Sequence, residues 1–245
     1  MASAPPSAAR RFFERRYREA GTPARAAGTK AYLKSDLRFY GTTMADIRGA
    51  ANDFAREHPR FTRTELRRIV DELWSTDVFD LRSAGVALLS RYAALLEERD
   101  LPWLLGFVRA SKTWAHVDWL AADVIGGVVG ESKTALRRLP VWARDDNFWV
   151  RRTALLAQLR QLSREAGDFA LFARLAVPML GEREFFIRKA IGWVLREVSK
   201  KRPKLVFEFL RDHRDEVSGL TLSEGAKYLP AAQRRALRLS GRTKQ

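Results

Sequence analysis

The chain has 245 residues, 46% apolar, 30% charged and 11% aromatic, a globular composition that excludes a disordered tail or a fibrous repeat. Its 45 Lys and Arg against 29 Asp and Glu leave a net charge of +16, so the expected partner is a polyanion, nucleic acid ahead of an anionic membrane. With no cysteine, disulfides, zinc-thiolate sites, thiol nucleophiles and iron–sulfur clusters are excluded, and His58, His116 and His213 show no spacing that would pair them on a metal.

The opening stretch, MASAPPSAARRFFERRYRE, has no signal-peptide apolar core. No apolar run reaches the ~18 residues of a membrane span, so a cytoplasmic protein with no membrane segment is expected. Helix starts then follow at Thr22-Pro23, at Thr43-Met-Ala-Asp46, at Thr62-Arg-Thr-Glu65 and at Asp146-Asn147, where short polar side chains can accept first-turn amides. Breaks are expected at Gly41, His58-Pro59, Pro102, Gly126-Gly127, Gly167, Gly181, Pro203 and Pro230. They cut the chain into roughly a dozen helical segments, with no strand-like alternation and no linker. The fold class is all-α, in one domain over residues 1–245.

Segments FDLRSAGVALL, AHVDWLAADVI, FWVRRTALLAQL and FFIRKAIGWVL superpose on anchors Leu81, Val117, Val150 and Ile187, at spacings of 36, 33 and 37 residues. Helical pairs recurring at ~35 to 45 residues point to a HEAT-like α-solenoid, clearest over residues 78–200. The expected form is a curved, right-handed superhelix of stacked helical pairs with a basic concave face. The residue after the anchor is Arg82, Arg151 or Arg188 in three repeats and Asp118 in the fourth. A carboxylate among bases costs affinity for a polyanion, so it is either a salt bridge particular to that repeat or a chemical group.

Trp114 and Asp118, four apart, share a helix face beside the apolar stripe Val117, Leu120, Ala121, Val124 and Ile125. His116 points elsewhere. Arg152 falls where the stripe Phe148, Leu155, Leu159 and Leu162 calls for an apolar residue, and reads as an interior ion pair or as a guanidinium fork for a phosphate. Trp193 lies off the stripe Ile187, Ala190, Val194 and Val198, on a strip with Phe186 and Lys189; it reads as core or as part of an aromatic and basic surface.

KTWAHVDWL, FWVRRTALLAQL, FFIRKAIGWVLRE and KAYLKSDLRFYGTTMADIR resemble the AlkD family of DNA alkylation-repair glycosylases over most of Lys30 to Glu197. The resemblance implies a monofunctional glycosylase that hydrolyses the N-glycosidic bond of cationic N3- or N7-alkylated purines in double-stranded DNA without flipping the base. It places Trp114, Asp118 and Trp193 at the lesion, Arg152 on the DNA backbone, and Tyr32 and Arg48 on the DNA-facing side. Lys189 joins the DNA-binding set from its strip. A monomer without metal or cofactor is expected. The chain departs from the family's usual pattern at Ala45 and over Leu37 to Thr43. A non-catalytic HEAT-repeat protein that binds DNA structures, and a protein-binding solenoid adaptor, are the alternatives.

Overall fold

Capping chemistry positions the helices. The computed structural model describes residues 7–240, with side chains as far as residue 237, and forms two compact units divided between Leu120 and Ala121. The termini of the expected domain, residues 1–6 and 241–245, lie outside the described residues. Among the described residues the chain is helical, without a strand; Arg38 and Val78 form an isolated bridge.

The first unit holds α1 (Ala8–Ala20), α2 (Pro23–Leu33), α3 (Met44–Glu57), α4 (Arg63–Trp74), α5 (Phe79–Arg91), α6 (Leu101–Arg109) and α7 (Trp114–Trp119). Thr22 caps α2 ahead of Pro23, and Thr43 with Asp46 and Thr62 with Glu65 close reciprocal capping boxes on α3 and α4. The threonine hydrogen bonds hold the Asp46 and Glu65 carboxyls below their ordinary values. At the centre, α5 is buried from Phe79 to Leu89 and packs against α3 and α4. A helix buried on all sides has little amphipathic pattern of its own. From α1, Phe13 and Tyr17 enter the same core, and the Tyr17 hydroxyl donates to the Ile47 carbonyl at 3.3 Å.

After α7 the chain runs through a π-helical segment, Leu120–Ile125, into α8 (Gly126–Glu131), α9 (Lys133–Leu136), α10 (Leu139–Trp142), α11 (Phe148–Leu156), α12 (Leu159–Ser163), α13 (Phe169–Ala176), α14 (Phe185–Ser199), α15 (Pro203–Asp212), α16 (Gly219–Gly225) and α17 (Ala231–Ser240). Within the second unit α14 is central, contacting α11, α12, α15 and α16. Its stripe Ile187, Ala190, Val194 and Val198 is buried as the spacing requires.

Two expectations need correction. Gly126-Gly127 does not break the helix. A Cβ at Gly126 would lie 2.9 Å from the Ala157 carbonyl oxygen, so glycine is there for close packing. The stripe expected from Phe148 to Leu162 is interrupted, because α11 ends at Leu156 and α12 begins at Leu159. Pro102 and Pro203 end one segment by opening the next, each in a first helical turn.

Candidate nucleic-acid interface

The four aligned anchors are alike in burial, since Leu81, Val117, Val150 and Ile187 are all 0% exposed. The arginines that follow three of them also share a task. Arg82 Nε donates to the Thr76 carbonyl, Arg151 Nη1 to that of Asp145, and Arg188 Nε to that of Glu182, each at 2.7 Å and each six residues back along the chain. They brace the loop that leads into their own helix. Arg82 is buried over the Trp74 ring, and burial holds its guanidinium below the ordinary value. Arg151 also pairs with Glu182 at 2.9 Å. These side chains therefore do not form an exposed basic row, and Asp118 is not a lone acid within one. A carboxylate has no hydrogen to give a carbonyl, so the fourth repeat cannot use this brace.

Its helix, α7, is fixed by other means. Thr113 accepts from the Ala115 amide at 3.3 Å, and Trp114 and Ala115 pack on the apolar cluster of Leu33, Leu37 and Phe79. Deeper in the unit, His116 is 1% exposed, faces Ser83 Oγ at 3.0 Å and stacks on Phe79 with centroids 4.6 Å apart. Desolvation by burial, with the Arg82 charge adding to it, lowers the His116 pKa to about 3, so the ring is neutral. The sequence reading that His116 points away from Trp114 and Asp118 agrees with this placement. Asp118 is half-buried, as is Trp114.

Two other acids of this unit are structural. Asp80, 1% exposed, accepts from the Tyr40 and Thr42 amides and the Thr42 hydroxyl. Asp100, 0% exposed, receives Arg63 and Arg67 and caps Glu97; burial opposes its charge, but these hydrogen bonds hold its carboxyl below the usual range. Asp80 thereby anchors the Leu37 to Thr43 segment. Arg38 exchanges backbone bonds with Asp77 and Phe79 at 2.8 Å, Phe39 stacks on Phe79 at 4.9 Å, and Gly41 turns at φ +83 where any Cβ would strike the Thr22 carbonyl.

Both candidates from the N-terminal helices meet α7. Tyr32, 71% exposed at the end of α2, sets its ring edge-on to Trp114 with centroids 5.6 Å apart. Arg48, exposed on α3, holds Cζ 5.3 Å from the ring centroid of Trp119. Trp119 is a residue that sequence reasoning missed, because its partner lies on a helix far away in sequence.

In the second unit Arg152 is 2% exposed, donates from Nη1 to the Phe186 carbonyl and has Cζ 5.8 Å from the Phe186 ring. That is an interior setting, with a backbone carbonyl accepting from the guanidinium. Trp149 also meets Phe186, at 4.8 Å. Along α14, Phe186, Lys189 and Trp193 are half-buried, and Lys189 Nζ pairs with Glu224 at 2.5 Å. Among the described residues no group of three His, Asp or Glu is placed to hold a metal, and no helix is long and apolar enough to cross a membrane.

A family model described as DNA alkylation repair enzyme matches residues 13–229. A solved structure described as a predicted DNA alkylation repair enzyme from Enterococcus faecalis aligns at TM-score 0.75 and 26% identity, covering 86% of this chain and 97% of that one. AlkD2 from Streptococcus mutans aligns at 0.60 and 19%, covering 77% and 91%, and smu.31 from Streptococcus mutans UA159 at 0.56 and 17%, covering 75% and 98%; at these identities the likeness concerns the fold. A comparison with curated proteins returned no match.

Proposed function

Because the chain belongs to the DNA alkylation repair enzyme family, we propose that it is a monofunctional DNA glycosylase. It hydrolyses the N-glycosidic bond of cationic N3- or N7-alkylated purines in duplex DNA, bulky adducts included, without extruding the base. One observation carries this reading: α7 presents a half-buried tryptophan and a half-buried carboxylate, Trp114 and Asp118, with Tyr32 packed on that tryptophan. The net charge of +16 supports a DNA partner.

The chemistry follows from the leaving group. An alkylated purine cation departs with the glycosidic electron pair and becomes neutral, so no general acid is needed. Positive charge then develops on the sugar, and the Asp118 carboxylate stabilises it while orienting the water whose oxygen bonds to the anomeric carbon. The water's proton passes to the carboxylate or to solvent. Trp114 packs against the deoxyribose and excludes bulk water; Trp193, on α14, is assigned the same kind of contact. Lys189 is paired with Glu224, so its amine is committed to an ion pair and is not presented as a nucleophile. The enzyme acts as a cytoplasmic monomer and uses no cofactor.

The test is release of free base from duplexes carrying N7-methylguanine, N3-methyladenine, a bulky cationic N7 adduct or hypoxanthine. Cationic bases should be released, the bulky one within roughly tenfold of N7-methylguanine, a spread of about 1.4 kcal/mol in barrier. Hypoxanthine should be a poor substrate. Efficient release of hypoxanthine, or none of the cationic bases, rejects the proposal.

A further inference from the structure

Asp118 is followed at once by Trp119, a residue with no part in the chemistry above. Its indole Nε1 is buried without a hydrogen-bond partner, so the ring is not held there by the polar contact a tryptophan usually makes. What meets it is Arg48, whose guanidinium carbon stands 5.3 Å from the ring centroid. The two come from elements fixed independently: α3 begins in the capping box of Thr43 and Asp46 and buries Ile47, Ala50 and Ala51, which leaves Arg48 on its exposed side. The α7 helix is anchored by Val117 and by Trp114 on the Leu33, Leu37 and Phe79 cluster. Among the described residues no carboxylate pairs with Arg48, which distinguishes it from Arg38 on Asp77 or Arg63 on Asp100.

An arginine without a carboxylate is ordinarily a mobile surface cation. One resting on an indole face is held by the ring's quadrupole and still keeps its N–H edge for a phosphate, which it can engage in bidentate fashion. We propose that Trp119 is a positioning residue for DNA: a shelf that fixes Arg48 for a backbone phosphate. Because Trp119 is the neighbour of Asp118 on α7, the phosphate so captured and the carboxylate are placed by one helix. The inference rests on the reading of the chain as a DNA-binding repair enzyme, and adds the residue that turns a surface arginine into a fixed contact.

The test is a double-mutant cycle read by binding to undamaged duplex across a salt series, for the wild type, Arg48→Ala, Trp119→Leu and the pair. Arg48→Ala should weaken binding about three- to tenfold and flatten the slope of log affinity against log salt by roughly one unit. Trp119→Leu should do the same although it removes no charge, and the pair should be no worse than either alone. Retention of the wild-type slope by Trp119→Leu, or additive losses in the pair, overturns the proposal. Should Trp119→Leu fail to fold by thermal melting, the cycle is run with Trp119→Phe, whose weaker ring must reduce the contribution of Arg48 at least twofold; an equal contribution overturns the shelf. Base release from N7-methylguanine DNA, measured alongside, separates the two readings. Release with additive losses rejects the shelf alone, and the expected cycle without release rejects the glycosylase alone.

Discussion

Arg188 and Asp118 occupy the same step of two repeats, one residue past a fully buried anchor, and only the arginine braces its loop. Arg188 reaches back to the Glu182 carbonyl at 2.7 Å and ties the loop to its helix, as Arg82 and Arg151 do in their repeats. Asp118 cannot donate such a bond, and its helix is held by Thr113 and by the apolar seat of Trp114. A position that braces a loop in three repeats does not do so in the fourth, whose helix is secured by other means. What marks the Asp118 repeat is thus the loss of a brace.

The widest test of this contrast is Asp118→Asn, which keeps the shape and removes the charge. Single-turnover base excision should fall by on the order of 10²-fold or more, with DNA affinity equal or higher. An unchanged rate in the variant would dissolve the distinction. Arg188→Met should do the reverse: a loss of about 1.5 to 3 kcal/mol in denaturant-measured stability, with the excision rate per folded molecule intact. Arg152→Met belongs with it, since its guanidinium is buried on the Phe186 carbonyl, and should leave the salt slope of DNA binding unchanged. A slope flatter by about one unit would instead support the backbone contact that the family resemblance implies for Arg152.

The smallest effect concerns the residue before the anchor, His116. Its pKa of about 3 in the folded protein lies below the 6.5 of an unperturbed imidazole, so between these values the unfolded chain binds a proton that the folded one refuses. Stability is therefore full above pH 6.5 and falls as pH drops, by about 2 kcal/mol at pH 5. His116→Gln should flatten that part of the pH–stability curve in urea titrations. A slope identical to the wild type would show that another group governs acid sensitivity.

Much of this was legible in the chain because it is local. The capping boxes at Thr43 and Thr62 and the cap at Asn147 lie within three residues of their partners, and the anchors Leu81, Val117, Val150 and Ile187 follow helical period and repeat spacing. The braces were not legible, because their acceptors are backbone carbonyls, which every residue carries. The Arg48 and Trp119 pair was missed because nothing in either segment announces the other. Gly126 misled for a different reason: a missing side chain serves a turn and a close helix contact equally well, and only the Ala157 carbonyl distinguishes them.

The bracing arginines also bear on how the chain folds. A contact spanning six residues closes a small loop, an event of roughly 10 to 100 ns for a chain of about this length. During synthesis at about 5 to 20 residues per second, the next anchor emerges only seconds later. Each braced helix can thus take its direction from its own loop before the anchor of the next repeat has been made. The Asp118 helix instead takes its seat on Leu33 and Leu37, which the ribosome has already delivered.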